Sequence, residues 1–146
     1  MEVNNWILKK HISEIKIASD EYLPFYKEFL LKLKCIVNED FSKSSSFINW
    51  DAYSKKYSFF YDYEDCEIEV ERFLNQSELG NAKSLYMDFG YNNPIINVEA
   101  KYFIENWYDF VMGAHYESTV VSDDGKCVME FVKGYNLVSN FIIKLW

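Results

Sequence analysis

Between residues 22 and 37, Tyr22, Phe25, Tyr26, Phe29, Leu30, Leu33, Ile36 and Val37 recur at intervals of three and four, while Lys27, Glu28, Lys32 and Lys34 fill the opposite side. That period predicts an amphipathic helix, capped by Ser19 or Asp20, with Pro24 tolerated because it falls in the first turn. Upstream, Ile7, Leu8, Ile12, Ile15 and Ile17 keep no clean period, and residues 6–16 are read as a short helix. Residues 38–54 read as a loop: the hydroxyls of 42–46 compete for backbone hydrogen bonds, and Phe47, Ile48, Trp50 and Tyr53 can pin it to the body.

Downstream the period changes to two. Tyr57, Phe59, Tyr61 and Tyr63 alternate with small or acidic positions and predict a strand with those four rings on one face. Residues 66–74 fit either period: Ile68 and Val70 alternate with glutamates, yet Cys66, Val70, Phe73 and Leu74 form one helical stripe, and helix is preferred. Residues 84–89 read as a strand ending at Gly90. After the turn at 92–94, Asn97 is read as the cap of a helix carrying Phe103, Trp107, Phe110, Val111 and Ala114, with Gly113 as its terminator. Residues 118–122 and 126–132 flank Asp123-Asp124-Gly125, a strong hairpin signal. A last strand is predicted over residues 140–146. Helices followed by antiparallel strands, with a long helix between them, predict a single α+β domain over residues 1–146, an antiparallel sheet with two or three helices packed on it.

A chain of 146 residues can sustain one hydrophobic core without staples, and 49% hydrophobic residues with 2 Pro and 5 Gly exclude a disordered or linker-like sequence. The balance is acidic: 15 Lys plus Arg against 23 Asp plus Glu give a formal charge of -8, and Arg72 is the single arginine. Affinity for nucleic acid or an anionic membrane comes from Lys and Arg, so neither partner is expected. Residues 1–10 show no basic segment followed by an apolar stretch and a cleavage site, which predicts no export. Three widely spaced cysteines, Cys35, Cys66 and Cys127, match no zinc pattern and suggest a reducing cytoplasm.

Catalytic chemistry has no clear carrier. The glycines are scattered and build no phosphate cradle, and the two histidines, His11 and His115, have no second ligand at helical spacing. Cys35 and Cys127 read as packing residues, and the acids around Cys66 disfavour its thiolate. His115, following Gly113-Ala114, reads as an exposed histidine after a helix end rather than a base. No cofactor, no metal and no enzyme activity are expected.

The charge is unevenly placed. Residues 1–56 carry 9 basic and 8 acidic side chains, whereas residues 57–146 carry 6 and 15, a net of -9. Asp62, Glu64, Asp65, Glu67, Glu69 and Glu71 put six acids into ten residues beside Tyr61 and Tyr63. Such a cluster repels itself unless a cationic partner relieves it, and aromatic neighbours supply rigid contact area. The expected partner-binding surface is therefore Tyr61, Asp62, Tyr63, Glu64, Asp65, Glu67, Glu69 and Glu71, joined by Asp123 and Asp124 at the hairpin tip.

In its second part, the Trp107-Tyr108-Asp109-Phe110 helix, the hairpin spanning residues 119–131 and the run at 139–143 resemble the bacterial immunity proteins of polymorphic-toxin and contact-dependent growth inhibition systems. The resemblance covers under a third of the chain. It implies a cytoplasmic protein that binds the C-terminal toxin domain delivered by a neighbouring cell and blocks it stoichiometrically. Many such toxins are basic nucleases, whose phosphate-binding grooves an acidic inhibitor can occupy. Two rival readings are a small enzyme or ligand-binding domain with a pocket of Trp50, Tyr86, Trp107 and His115, and a structural subunit pairing through residues 141–146.

Overall fold

A computed structural model describes residues 3–19, 25–39, 47–90 and 93–144. Seven strands, β1 (Ile15–Ser19), β2 (Tyr57–Phe60), β3 (Ser84–Met87), β4 (Ile95–Glu99), β5 (Ser118–Ser122), β6 (Val128–Val132) and β7 (Asn136–Ser139), form one sheet in the order β1-β4-β3-β5-β6-β7-β2. Every pairing in it is antiparallel. The fold class is α+β. Among the described residues there are five α-helices: α1 (Trp6–Lys10), α2 (Phe25–Lys32), α3 (Cys66–Gln76), α4 (Ala100–Glu105) and α5 (Trp107–Gly113).

Alternation along the strands splits the apolar residues between two layers. Leu85, Met87, Ile96, Val98, Val120, Met129, Phe131 and Leu137 face α1, α3, α4 and α5, where they pack with Ile7, Leu74, Phe103, Trp107 and Phe110. Tyr86, Ile95, Val121 and Val128 face the other way, onto Phe29, Leu30, Cys35, Ile48 and Trp50. Burying a large apolar side chain contributes roughly 1.5–3 kcal/mol, so α3 is held chiefly by Val70, Phe73 and Leu74 at helical spacing.

Glu130, 3% exposed, ties the segment over 47–53 to the sheet. Its carboxylate accepts from Phe47 N at 3.0 Å, Trp50 Nε1 at 2.9 Å and Thr119 Oγ1 at 2.8 Å. Two glycines allow close approach of neighbouring elements. A Cβ on Gly113 would sit 2.6 Å from Ile7 Cβ, so α1 approaches α5 only without it, and a Cβ on Gly125 would sit 2.2 Å from Leu33 O, where the hairpin tip meets the end of α2.

Several predicted elements change. Residues 6–16 divide into α1, a short 3-10 turn (Ile12–Glu14) and the edge strand β1, because the chain gains more from pairing with β4 than from one more helical turn. Ser19 closes that strand; the alternative cap Asp20, Tyr22, Pro24 and the tract 42–46 lie outside the described residues. The helix predicted to Val37 stops at Lys32: Lys34 turns left-handed at φ 64, with Cys35 N bonded to Leu30 O and Lys34 N to Leu31 O. Asn97 is no helix cap. It sits in β4, where its amide donates to Ser84 Oγ and Leu85 O at 3.1 Å, and the helical stretch begins at Ala100 and breaks at Asn106. The last strand is β7 rather than residues 140–146; Phe141 and Ile143 bury into the core without pairing, and Leu145 and Trp146 lie outside the described residues. The strand predicted to Tyr63 ends at Phe60.

Candidate functional site

After β2 the chain turns into α3, and the acidic run is spread along that turn and helix. Asp62, Glu64, Asp65 and Glu67 are exposed, and Glu69 and Glu71 are half-buried. Glu67 and Glu69 occupy the first helical turn, where carboxylates complement the positive end of the helix. Asp65, at φ 64, starts the helix in a left-handed conformation without capping it through its side chain. Ile68 lies among these acids and is 72% exposed. Among the described residues, none of the six carboxylates makes an ion pair. Tyr63 donates to Glu69 Oε2 at 2.8 Å; burial, followed by that bond, pushes its hydroxyl up to about 12.

Two expectations for this surface are corrected. Tyr61 is 1% exposed and points into the helix-side core, so it presents no side chain to a partner. Asp123 and Asp124 are exposed but stand apart from the start of α3. Tyr61 N bonds to Tyr135 O at the β6–β7 turn, whereas Asp123 and Asp124 lie at the other end of β6, a strand length of roughly 17 Å away. Asp124 serves the hairpin itself: Oδ1 accepts from Ser122 Oγ at 2.6 Å and Lys126 N at 3.0 Å, and these bonds hold its carboxyl below the ordinary range.

What lies beneath the start of α3 is a closed circuit of aromatic rings. Tyr61 contacts Trp107 at 5.7 Å, Trp107 contacts Tyr108 at 5.4 Å, Tyr108 contacts Tyr116 at 6.3 Å, Tyr116 contacts Tyr135 at 5.2 Å, and Tyr135 returns to Tyr61 at 5.9 Å. All five contacts are edge-to-face, the arrangement ring quadrupoles favour. Trp107 Nε1 donates to Glu67 O at 2.9 Å, joining the circuit to the first turn of α3. Tyr116 and Tyr135 carry positive φ of 63 and 60, strained values for bulky residues.

Among the described residues, the Tyr61 hydroxyl is the one buried side-chain polar atom without a hydrogen-bond partner. Burial, and then the neighbouring hydroxyls of Tyr116, Tyr108 and Tyr135, oppose its ionisation and raise its pKa. The neighbouring Tyr116 hydroxyl, and then burial, push the Tyr108 hydroxyl up to about 12. No spacing in the sequence links positions 61, 108, 116 and 135; the one local signal is that Tyr116 and Tyr135 follow glycines closely at turns.

The proposed quartet of Trp50, Tyr86, Trp107 and His115 forms no common pocket. Trp50 and Tyr86 pack on one face of the sheet and Trp107 on the other, while His115 is exposed. The other histidine has a structural setting. His11, 5% exposed, donates from Nε2 to Asp109 Oδ2 at 2.9 Å, contacts Tyr102 Oη through Nδ1 at 2.6 Å and stacks on Phe110. Lys10 Nζ meets the same Asp109 oxygen at 2.8 Å, and that bond, more than the histidine's, holds the Asp109 carboxyl below its ordinary range. These side chains fasten α1 to α4 and α5.

Burial pushes the Cys35 and Cys127 thiols up to about 12 and about 11, which keeps both protonated at neutral pH. Among the described residues, no three His, Cys, Asp or Glu side chains gather as a metal site, and no helix is long and apolar enough to cross a membrane. No protein-family model matches the chain, and neither does any curated protein.

Proposed function

We propose that the chain is a cytoplasmic immunity protein that binds a basic toxin domain, of nuclease type, and neutralises it as a stoichiometric complex. The observation that carries this reading is the unpaired, exposed set Asp62, Glu64, Asp65 and Glu67 at the start of α3, beside the exposed apolar Ile68. Unpaired carboxylates attract a cationic surface and speed its encounter, while an apolar contact among them supplies area that dehydrates on docking. The same acids repel a nucleic acid, so the complement is a protein whose own Lys and Arg are gathered for phosphate.

Co-expression tests it. The chain is produced in a susceptible cell in which the toxin domain encoded beside it is induced, and growth is scored together with co-purification. Growth with a one-to-one complex is expected. Toxicity without a complex, from a chain that is folded by circular dichroism, overturns the proposal.

A further inference from the structure

We propose that the chain forms a two-fold symmetric homodimer in which the free edge of β2 pairs with β2 of a second copy and joins two sheets into one. This dimer is independent of the toxin partner proposed above. The sheet ends in β1 on one side and β2 on the other, and the two edges are built differently. β1 carries a register shift between Ile17 and Ser19 and the exposed Lys16 in its middle, both of which discourage a further strand. β2 has neither: its register against β7 runs unbroken from Tyr57 to Phe60, no charge or proline interrupts it, and Phe60 is 54% exposed. Directly opposite residues of an antiparallel pair alternate between bonded and unbonded. Tyr61 N donates to Tyr135 O and continues the register, so Tyr57, Phe59 and Tyr61 bond towards β7, and the N–H and C=O groups of Ser58 and Phe60 point away from the sheet. Asn140 N donates to Val128 O, which turns Val138 and Asn136 towards β6 and gives the same parity from the other side. Among the described residues, no strand pairs with the outer side of β2.

Charge selects the occupant of that edge. Lys55 and Lys56 precede β2 and Asp62 and Glu64 follow it, all four exposed, so the edge is positive at its start and negative at its end. A parallel copy would set like charges side by side, whereas an antiparallel copy sets each end against its opposite. Parity demands that Ser58 and Phe60 meet outward-facing groups of the other chain. The register that keeps all of these groups within β2 places the two-fold axis at Phe59, with Ser58 opposite Phe60 of the second copy and Phe60 opposite Ser58. Phe59 then lies against its symmetry mate, and Lys56 falls opposite Asp62 twice over. Within one chain Lys56 Nζ reaches Asp51 Oδ1 only at 4.0 Å, the outer limit for an ion pair between exposed groups, so it is available to a closer carboxylate. Asp62 is engaged in this pairing, and Glu64, Asp65 and Glu67 are left to another partner.

Analytical ultracentrifugation of the full chain over a concentration series tests the dimer. A reversible, concentration-dependent rise from the monomer mass towards twice that mass is expected. Lys56→Asp and Asp62→Lys should each raise the dimer dissociation constant about tenfold, because each change acts at two symmetry-related contacts, and an equimolar mixture of the two variants should dimerise as the unaltered chain does. Ser58→Pro removes an outward N–H that β7 does not use, and should abolish the dimer while leaving the circular dichroism spectrum unchanged. The exposed charge variants decide the matter if Ser58→Pro does not fold. A monomer at every concentration up to about 0.5 mM, a dimer that the charge variants or a folded Ser58→Pro chain leave unweakened, or a mixture no more dimeric than either charge variant alone each overturns the edge pairing.

Discussion

Replacing Tyr61 by Phe should make the free protein more stable, although it deletes a polar group from the largest core cluster. The hydroxyl is buried, and no hydrogen-bond partner reaches it. Mutational data put the cost of such a group at roughly 1–3 kcal/mol. Removing one oxygen leaves a void on the order of 10 Å³, which at about 24 cal/mol per Å³ costs only about 0.2 kcal/mol. The ring contacts to Trp107, Phe131 and Tyr135 remain. The net gain is about 1–3 kcal/mol, and for a domain of this size each kcal/mol moves the melting temperature by roughly 2–4 °C, so a rise of about 2–11 °C is expected. Tyr63→Phe is the matched control with the opposite sign: it strips a hydroxyl that donates to Glu69, and a loss of about 1 kcal/mol is expected. Thermal and urea unfolding followed by circular dichroism measure both. A fall of more than about 2 °C in Tyr61→Phe would refute the reasoning, because it would show that the hydroxyl has a partner, such as an enclosed water, in the native protein.

Reversing Glu64, Asp65 and Glu67 to lysine should lower the melting temperature modestly, because Glu67 complements the positive end of α3 and Asp65 starts that helix in a left-handed conformation, and should slow association with a basic toxin domain by roughly tenfold or more at low salt, as read by stopped-flow or surface plasmon resonance. Unaltered rates would place the interface elsewhere. Glu130→Ala removes the acceptor shared by Phe47 N, Trp50 Nε1 and Thr119 Oγ1, and should cost about 2–4 kcal/mol in urea unfolding and speed amide exchange over residues 47–53. The Asp109 carboxyl is held below its ordinary value, so it binds its proton more weakly when folded than when unfolded. Its contribution is therefore fully present above the unfolded value near ~3.9 and is lost as the pH falls through the lower folded one. Asp109→Asn should flatten that acid limb of the stability curve, and a superimposable curve would contradict the assignment. Gly113→Ala drives a Cβ to 2.6 Å from Ile7 Cβ and should cost about 1–3 kcal/mol by thermal unfolding.

Local patterns foretold the elements whose stabilising partners lie close along the chain. The hairpin of β5 and β6 follows from Asp123-Asp124-Gly125, where Asp124 bonds Ser122 and Lys126, and Gly125 supplies a φ of +76. The helix α3 follows from Val70, Phe73 and Leu74, which one helical face buries. The elements misread were those whose conformation a distant partner decides. Asn97 has the composition of a cap, but Ser84 and Leu85 claim its amide from β3, and Ile96 to Val98 pair on both sides in the sheet. Residues 15–19 become a strand because β4 offers them a ladder, and 140–144 become none because β7 and β2 pair with each other.

The site divides along the same line. By itself the sequence determined an acidic, aromatic-rich α+β chain whose negative charge gathers over residues 62–71, since charge is carried by composition and survives any folding of that segment. Only the tertiary structure decided which of those residues face water, that Tyr61 turns inward while Ile68 turns outward, and that Asp123 and Asp124 lie a strand length away. It alone closed the circuit of Tyr61, Trp107, Tyr108, Tyr116 and Tyr135, drawn from α5 and from three connections. The physical reason is that proximity across a sheet and its turns depends on strand order and register, and those are set by the summed burial of the whole core rather than by any local period.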